Sequence, residues 1–228
     1  MLQGYAASLL EGLALTLALA VSSLVVAFAL GLAGAGAKLS RSPALRALAG
    51  LYTTLIRGVP DLILVLLVYY GSQALVNRIA DALGHTDYIG IDPFIAGVLT
   101  IGFIFGAYFT ETFRGAFLAV PTGQREAGLA FGLTNSQVLR RITAPQMLQQ
   151  ALPALSNNWL VLVKSTAVVS LIGLDDLMLK AQQAAGATRE PFVFYGAVVV
   201  LYLAVTSVSE LGFQWLGRRG RRGVRTSR

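Results

Sequence analysis

Residues 126–145 read EAGLAFGLTNSQVLRRITAP. The stretch lies between two long apolar segments, and its charges, Glu126, Arg140 and Arg141 with Arg125 just before it, keep it out of the membrane interior. Its basic residues favour the cytosolic side. We therefore predict a cytosolic loop, over residues 120–150, that has helical structure of its own and can dock onto another protein.

The order of residues within this loop predicts two short helices. Gly132 fits the left-handed residue that ends a helix over 124–131. Thr134, with a glutamine three residues later, forms the capping box of a second helix that extends to about Ile142. Pro145 is expected to stop or redirect the chain before the next apolar segment. The loop is thus predicted to be a helix–turn–helix elbow.

The rest of the chain is mostly apolar. It has 228 residues, of which 55% are hydrophobic and 13% charged, and its mean hydropathy is +0.67; soluble domains carry about a quarter charged residues. A spanning helix needs about 20 residues, and lipid-exposed segments must be helical to satisfy their backbone groups. We predict an all-α membrane protein, a single transmembrane domain over residues 1–228. Its five spanning helices are expected at about 9–36, 51–76, 94–119, 151–174 and 192–216.

The basic residues predict the orientation. One side of these helices carries Lys38, Arg41, Arg46, Arg125, Arg140, Arg141 and the six arginines between 218 and 228. The other side carries only Arg78, Lys180 and Arg189. By the positive-inside rule, the N-terminus is periplasmic and the C-terminus cytosolic. The net charge of +7 then reflects a basic cytosolic tail over 217–228 and does not indicate nucleic-acid binding.

Several classes of site are excluded by composition. The chain has no cysteine and a single histidine, His85, so disulfides, thiolate sites and multi-histidine metal sites are excluded. Gly31, Gly34 and Gly36 precede Lys38, but the Gly-Lys-Ser/Thr of a P-loop is missing. Gly102, Gly106 and Thr110 recur every four residues and predict close helix packing instead. We expect no catalytic residues and no bound cofactor in this chain.

The elbow has the spacing of a known motif. It resembles the EAA loop of permease subunits of bacterial ATP-binding-cassette (ABC) importers, whose pattern is Glu-Ala-Ala, three residues, Gly, nine residues, Ile, any residue, Leu, Pro. The sequence has Gly128 and Ala144 where that pattern has Ala and Leu. The resemblance implies that the 124–132 helix couples the pore to a separate ATPase. The coupling residues it implies are Glu126, Ala127, Gly132, Ile142 and Pro145.

The likeness extends over nearly the whole chain. The segments 56–62, 106–124 and 162–173 are similar to polar amino-acid permeases of the type I importer fold. Val59-Pro60-Asp61 and Lys164-Ser165-Thr166 most resemble the Q-type subunit of histidine/lysine/arginine or opine uptake systems; other members more often have Thr-Pro-Leu and Lys-Asp-Thr. The resemblance implies a bacterial inner-membrane protein. It also implies an ABC ATPase dimer that binds ATP and Mg, a second, related but different permease chain, and a periplasmic substrate-binding protein.

Charged residues within spanning helices are costly and usually face a cavity or a partner. At about 1.5 Å per residue, Asp61 and Lys164 are expected near the middle of the bilayer, and Glu111 and Arg114 nearer the cytosol. A cationic substrate would need a carboxylate and a polar lining. The predicted substrate path is Asp61, Glu111, Lys164, Ser165 and Arg57.

Alternative interpretations of these charges remain. Glu111 could pair with Arg114, and Arg57 with Asp61, because each pair lies within one helical turn. Lys164 could neutralise an acid of the partner chain. The function predicted is ATP-driven import of polar, cationic amino acids such as histidine, lysine and arginine. Transport of an opine, of glutamine or of another polar amino acid is the alternative, and an ATP-independent channel or secondary carrier is the alternative from another class.

Overall fold

The computed structural model describes residues 4–85 and 87–220, and all the regular secondary structure in these ranges is helical. Five helical stretches within these ranges are long and apolar enough to cross a membrane, which confirms the predicted all-α architecture. They are Ala6–Leu39, Asp61–Ala82, Pro93–Leu118, Asn135–Ile172 and Pro191–Arg219. Most of the predicted basic tail, residues 221–228, lies outside the described residues, and its start continues the last helix.

We number the α-helices in chain order. They are α1 (Ala6–Leu39), α2 (Pro43–Gly58), α3 (Asp61–Ala82), α4 (Pro93–Leu118), α5 (Thr122–Ala130), α6 (Asn135–Val138), α7 (Ala144–Ser165), α8 (Leu177–Thr188) and α9 (Pro191–Gly220). A π-helical turn, Leu139–Thr143, joins α6 to α7, and a 3₁₀ segment, Thr166–Ile172, follows α7.

The centre of the molecule is the contact between α1 and α4, which is close because small residues alternate across it. A Cβ at Gly31 would lie 2.4 Å from the Cβ of Phe109, and one at Gly106 would lie 2.8 Å from the Cβ of Leu30. A Cβ at Gly102 would likewise lie 2.6 Å from Val26. The packing role predicted for the glycines of this helix is therefore confirmed.

The predicted second helix, 51–76, is wrong, because the chain contains two helices here. Val59 is extended (φ −109°, ψ 138°), and Pro60 precedes the first residue of α3. A proline disfavours helical geometry in the residue before it and offers no amide donor, so α2 ends at this point. Asp61 is consequently the first residue of a spanning helix and not the middle of one. Arg57 belongs to a different helix, so an i,i+4 pair with Asp61 does not exist.

The expected stop at Pro145 does not occur. Pro145 lies in the first turn of α7. The helical backbone continues through it from Asn135 to Ile172. The π-helical turn precedes it, where the Ala144 amide bonds to Leu139 five residues back. A wider turn at this point separates the proline ring from the preceding carbonyls. The left-handed residue between α5 and α6 is Gly132, with a φ of +81°.

Helix α8 lies in the segment expected to be an outer loop. Asp176 caps it by accepting a hydrogen bond from the Leu179 amide at 2.9 Å. Helices α1, α8 and α9 share a second hydrophobic cluster, separate from the main core. Its buried members are Leu9, Leu177, Ala181, Ala184, Ala185, Phe194 and Val198. The capping aspartate before a leucine and two further buried positions at helical spacing was the signal that could have found this helix.

Candidate functional site

The predicted elbow is present and is held by local hydrogen bonds. Gly132 has a φ of +81°, and the amide of the next residue, Leu133, bonds to the Gly128 carbonyl at 3.1 Å. The Thr134 amide donates to the Gln137 side chain at 2.9 Å, and the Gln137 amide donates to the Thr134 hydroxyl at 3.3 Å. The capping box and the left-handed glycine are thereby confirmed, and they fix the angle between α5 and α6.

Gly128 explains how α5 packs against the second half of the elbow. It is the buried residue of α5. A Cβ at this position would lie 2.7 Å from Cδ1 of Ile142 and 3.0 Å from a methyl of Val138. The glycine therefore lets α5 approach the segment that carries Ile142 more closely than an alanine would. Two residues of the EAA-like pattern meet at this contact, so their spacing has a structural cause.

The remaining motif residues face outward. Glu126 and Ala127 are exposed, and Phe131 at the end of α5 is 89% exposed. Glu126 lies beyond the first turn of α5, which begins at Thr122, so the helix dipole gives it little stabilisation. Within residues 4–85 and 87–220 it makes no ion pair. We call Glu126, Ala127 and Phe131 the coupling surface: a free carboxylate beside an exposed aromatic side chain.

Glu111 lies in an ion-pair network that joins three helices. Its carboxylate pairs with Lys38 Nζ of α1, and Arg114 of its own helix lies 3.7 Å away. Lys38 also donates to the Thr53 hydroxyl of α2 at 2.6 Å. The alternative that Glu111 pairs with Arg114 therefore holds, with Lys38 as the nearer partner. Lys38 was expected in a loop but lies in the last turn of α1.

Asp61 and Ser165 form a second polar site, which we call the Asp61 cluster. They are 104 residues apart in the chain, and the Ser165 hydroxyl donates to Asp61 Oδ2 at 3.4 Å. Arg57 lies over the ring of Tyr108, 5.3 Å from its centroid. Lys164, beside Ser165, is exposed. In the described part of the chain, neither Asp61 nor Lys164 has an ion-pair partner.

Three residues of these two sites were not predicted. Lys38 pairs with Glu111 and also bonds to Thr53, and the ring of Tyr108 lies against Arg57. Lys38 lies 73 residues from Glu111, and a single sequence has no signal for such a pair. The available sequence signal was a carboxylate inside a predicted spanning helix, which indicates that a cation faces it.

Comparison with known proteins places the chain in a family. Residues 26–222 match the model of the "Binding-protein-dependent transport system inner membrane component". The chain is 52% identical over 229 residues to the histidine/lysine/arginine/ornithine transport system permease protein HisQ of Escherichia coli K12, covering 99% of this chain and 98% of that protein. It is 41% identical over 221 residues to the octopine transport system permease protein OccQ of Rhizobium radiobacter, covering 97% and 93%.

Solved structures give the same fold. An amino acid ABC transporter crystallised with histidines has a TM-score of 0.80 at 30% identity, covering 94% of this chain and 95% of that one. An inward-facing form of the MetNI methionine ABC transporter has a TM-score of 0.74 at 20% identity, covering 95% and 98%; at that identity the likeness concerns the fold alone. The chain therefore belongs to the family of binding-protein-dependent transport system inner membrane components.

Proposed function

We propose that this chain is the transmembrane permease subunit of an ATP-driven importer of polar, cationic amino acids, with histidine, lysine and arginine as its substrates. The observation that carries the proposal is the 52% identity, over 99% of the chain, to a permease named for histidine, lysine, arginine and ornithine transport. The 41% identity to an octopine permease supports an opine as the second candidate substrate. The likeness to the octopine permease and the likeness to the histidine, lysine, arginine and ornithine permease both support a substrate that has a positively charged group.

The coupling surface is our candidate for the contact with a separate ABC ATPase dimer, which would bind ATP and Mg. Glu126 and Ala127 are exposed on α5, while Gly132, Ile142 and Pro145 set the shape of the elbow behind them. Helix α5 contacts the segment before α7 through Gly128 and Ile142. A displacement of α5 would therefore be transmitted along the continuous helix from Asn135 to Ile172. This chain would thus supply the pore and perform no catalysis.

The Asp61 cluster is our candidate for the substrate path. Among the described residues Asp61 has a hydroxyl partner but no cation, so its carboxylate can meet the positive charge of a substrate. Arg57 and Lys164 can meet the substrate carboxylate or an acid of a second permease chain. Glu111 is already paired with Lys38, so a substrate ammonium would have to displace that lysine.

The remaining assignments follow from the function proposed. The cytosolic elbow requires a periplasmic N-terminus and a cytosolic C-terminus, in agreement with the positive-inside count. The chain would lie in the bacterial inner membrane, surrounded by lipid. Its partners would be the ATPase dimer, a related but different permease and a periplasmic substrate-binding protein.

Reconstitution tests the proposal. The chain is co-expressed with the ATPase, second permease and binding protein of its own organism, and labelled arginine and glutamine uptake into ATP-loaded proteoliposomes is measured. We expect ATP-dependent arginine uptake, and a larger loss for arginine than for glutamine in Asp61→Asn. Equal effects on both substrates would remove Asp61 from the substrate path. Uptake that needs an ion gradient but no ATP would replace the importer by a secondary carrier.

A further inference from the structure

Asp176 has a buried carboxylate, and one of its two oxygen atoms lacks a hydrogen-bond partner among the described residues. The residue is 0% exposed, and Oδ1 accepts the Leu179 amide as the cap of α8. Oδ2 is buried and has no hydrogen-bond partner in the described part of the chain. Burying a charged group without full hydrogen bonding is costly, and the usual response is that the group binds a proton.

On the α1 side, the backbone at the start of α8 is in close contact with α1. A Cβ at Gly12 would lie 2.9 Å from the Asp176 carbonyl oxygen, so α1 touches the backbone at the start of α8. Thr16 accepts the Leu177 amide at 3.1 Å and donates to the Gly12 carbonyl at 2.9 Å. The first turn of α8 is thereby bonded to α1 beside the carboxylate.

Tyr202 of α9 is the polar group on the other side. Its hydroxyl is buried beside the Thr166 side chain and lies within electrostatic range of Asp176. In the described part of the chain it does not supply the missing partner of Oδ2. The neutral acid form of a buried carboxyl group needs less hydration than the charged form, so burial at this place favours protonation.

The charged groups around Asp176 do not neutralise it. Lys180 follows in α8 and Glu11 is exposed on α1, while the 3₁₀ segment contributes the uncharged Thr166. Burial, and then the neighbouring Asp175 carboxylate, raise the pKa of Asp176 to about 6, against the smaller opposing effect of backbone amides. The side chain thus titrates within the range of pH that bacteria meet outside the cell membrane.

We propose that Asp176 is a proton-binding site that controls how firmly α8 packs on α1 and α9. In the acid form the carboxyl group is neutral, and the cap and the second hydrophobic cluster are both compatible with burial. In the charged form α8 separates more often from its neighbours, because separation returns the carboxylate to water. This role is independent of the substrate, and it concerns the side of the molecule opposite the coupling surface.

The sign of the effect follows from linkage. The pKa in the packed state is about 6, against 3.8 for the exposed group, so the packed state binds the proton more tightly. Packing of α8 is strongest below about pH 4, weakens as the pH rises from 4 to 6 and is constant above that. Between pH 5 and pH 7.5 the opening equilibrium should increase about tenfold.

The absence of cysteine allows a direct test in the assembled transporter. Ala185→Cys places a thiol at a buried position of α8, and Gln182→Cys places one at an exposed position of the same helix. The rate of maleimide labelling is measured from pH 5 to pH 7.5 and expressed as the ratio of the two, which cancels the titration of the thiol. We expect the ratio to rise about tenfold, with a midpoint near pH 6.

Substitutions at the site decide the outcome. With Asp176→Asn, which mimics the neutral acid, the ratio should be low and independent of pH; with Asp175→Asn the rise should remain, with its midpoint at lower pH. A flat ratio in the unsubstituted site, or a rise that persists in Asp176→Asn, overturns the proposal. If Asp176→Asn does not assemble, Asp175→Asn decides: removing the neighbouring negative charge should move the midpoint to lower pH, and an unchanged midpoint overturns the proposal.

Discussion

Replacing Lys38 and Glu111, singly and together, separates a structural role of Glu111 from a role in the substrate path. Lys38→Met removes the cation but keeps the length of the side chain, and Glu111→Gln removes the charge but keeps the shape. Each single change leaves one charge without its main partner. The double change removes both charges at once and leaves the α1–α4 contact, with Gly31 against Phe109, unaltered.

The magnitude follows from the burial of the pair. Breaking a fully buried ion pair by removing one partner costs about 3–5 kcal/mol, and exposed pairs contribute less than about 1 kcal/mol. The side chains of Lys38 and Glu111 are 15% and 25% exposed, so we expect each single change to lower the free energy of unfolding by about 2–3 kcal/mol. The coupling energy of the pair should be about 2 kcal/mol, and the double variant should lose less than the sum of the singles.

The assay has two readouts on the same purified complexes. The free energy of unfolding is measured by titration with a denaturing detergent, and ATP-driven arginine uptake is measured in proteoliposomes. Arg114→Met is the matched control: Arg114 is 42% exposed and 3.7 Å from Glu111, so its loss should cost less than about 1 kcal/mol. The double variant should regain both stability and uptake relative to Glu111→Gln.

Two results would refute the structural role. A coupling energy below about 0.5 kcal/mol would mean that the two side chains do not depend on each other. A double variant that is as stable as the unsubstituted chain, yet imports no arginine, would place Glu111 in the substrate path after all. Rescue of uptake by Lys38→Met is the outcome that a substrate-binding carboxylate cannot produce.

Three further predictions concern the coupling surface and the helix contacts. Gly128→Ala should be tolerated, since the flexible end of Ile142 can move and the Val138 methyl must shift only slightly, whereas Gly128→Leu should abolish ATP-driven uptake; equal uptake in both variants would contradict the close contact. Glu126→Arg should leave the permease in the membrane but reduce co-purification of the ATPase at least tenfold, and unchanged ATPase recovery would remove Glu126 from the coupling surface. Gly31→Val should cost about 3 kcal/mol or more in unfolding free energy, because its Cβ would lie 2.4 Å from that of Phe109. The control is Gly36→Ala, whose added Cβ would meet no described residue within 4 Å outside its own stretch of helix. It should be neutral or stabilising by thermal melting, and a comparable loss in both variants would contradict the packing argument.

The sequence predicts this fold well where the signal is local. The spanning helices are found from apolar length alone, because lipid excludes any other regular structure for such segments. Gly132 and the Thr134 capping box are also local, since each satisfies backbone groups within a few residues. The break at Pro60 has a local signal in Gly58 and the proline itself, and it was missed because a count of apolar length runs across both residues.

The candidate sites could be predicted only in part, because their residues meet across the fold. The sequence singled out Asp61, Ser165 and Glu111 as unusual, but not that the first two touch or that the third has Lys38 as its partner. Helix α8 was missed for a different reason, because it is short and its net charge is close to zero. Its stability comes from packing on α1 and α9 more than from its own helix propensity. For α8 the sequence did contain the capping aspartate, whereas it contains no signal for the long-range pairs.

The two carboxylates of the proposed path differ in how much of their charge remains available. Glu111 faces Lys38 and Arg114, so the field it presents to a passing cation is largely cancelled within the chain. Asp61 faces a neutral hydroxyl, and in a weakly polar surrounding an uncancelled charge acts over a longer range. The binding free energy of a cationic substrate is most favourable beside a carboxylate that no other cation neutralises. The geometry therefore favours Asp61 as the group that distinguishes arginine from glutamine, and Glu111 as part of the frame that holds α1, α2 and α4 in place.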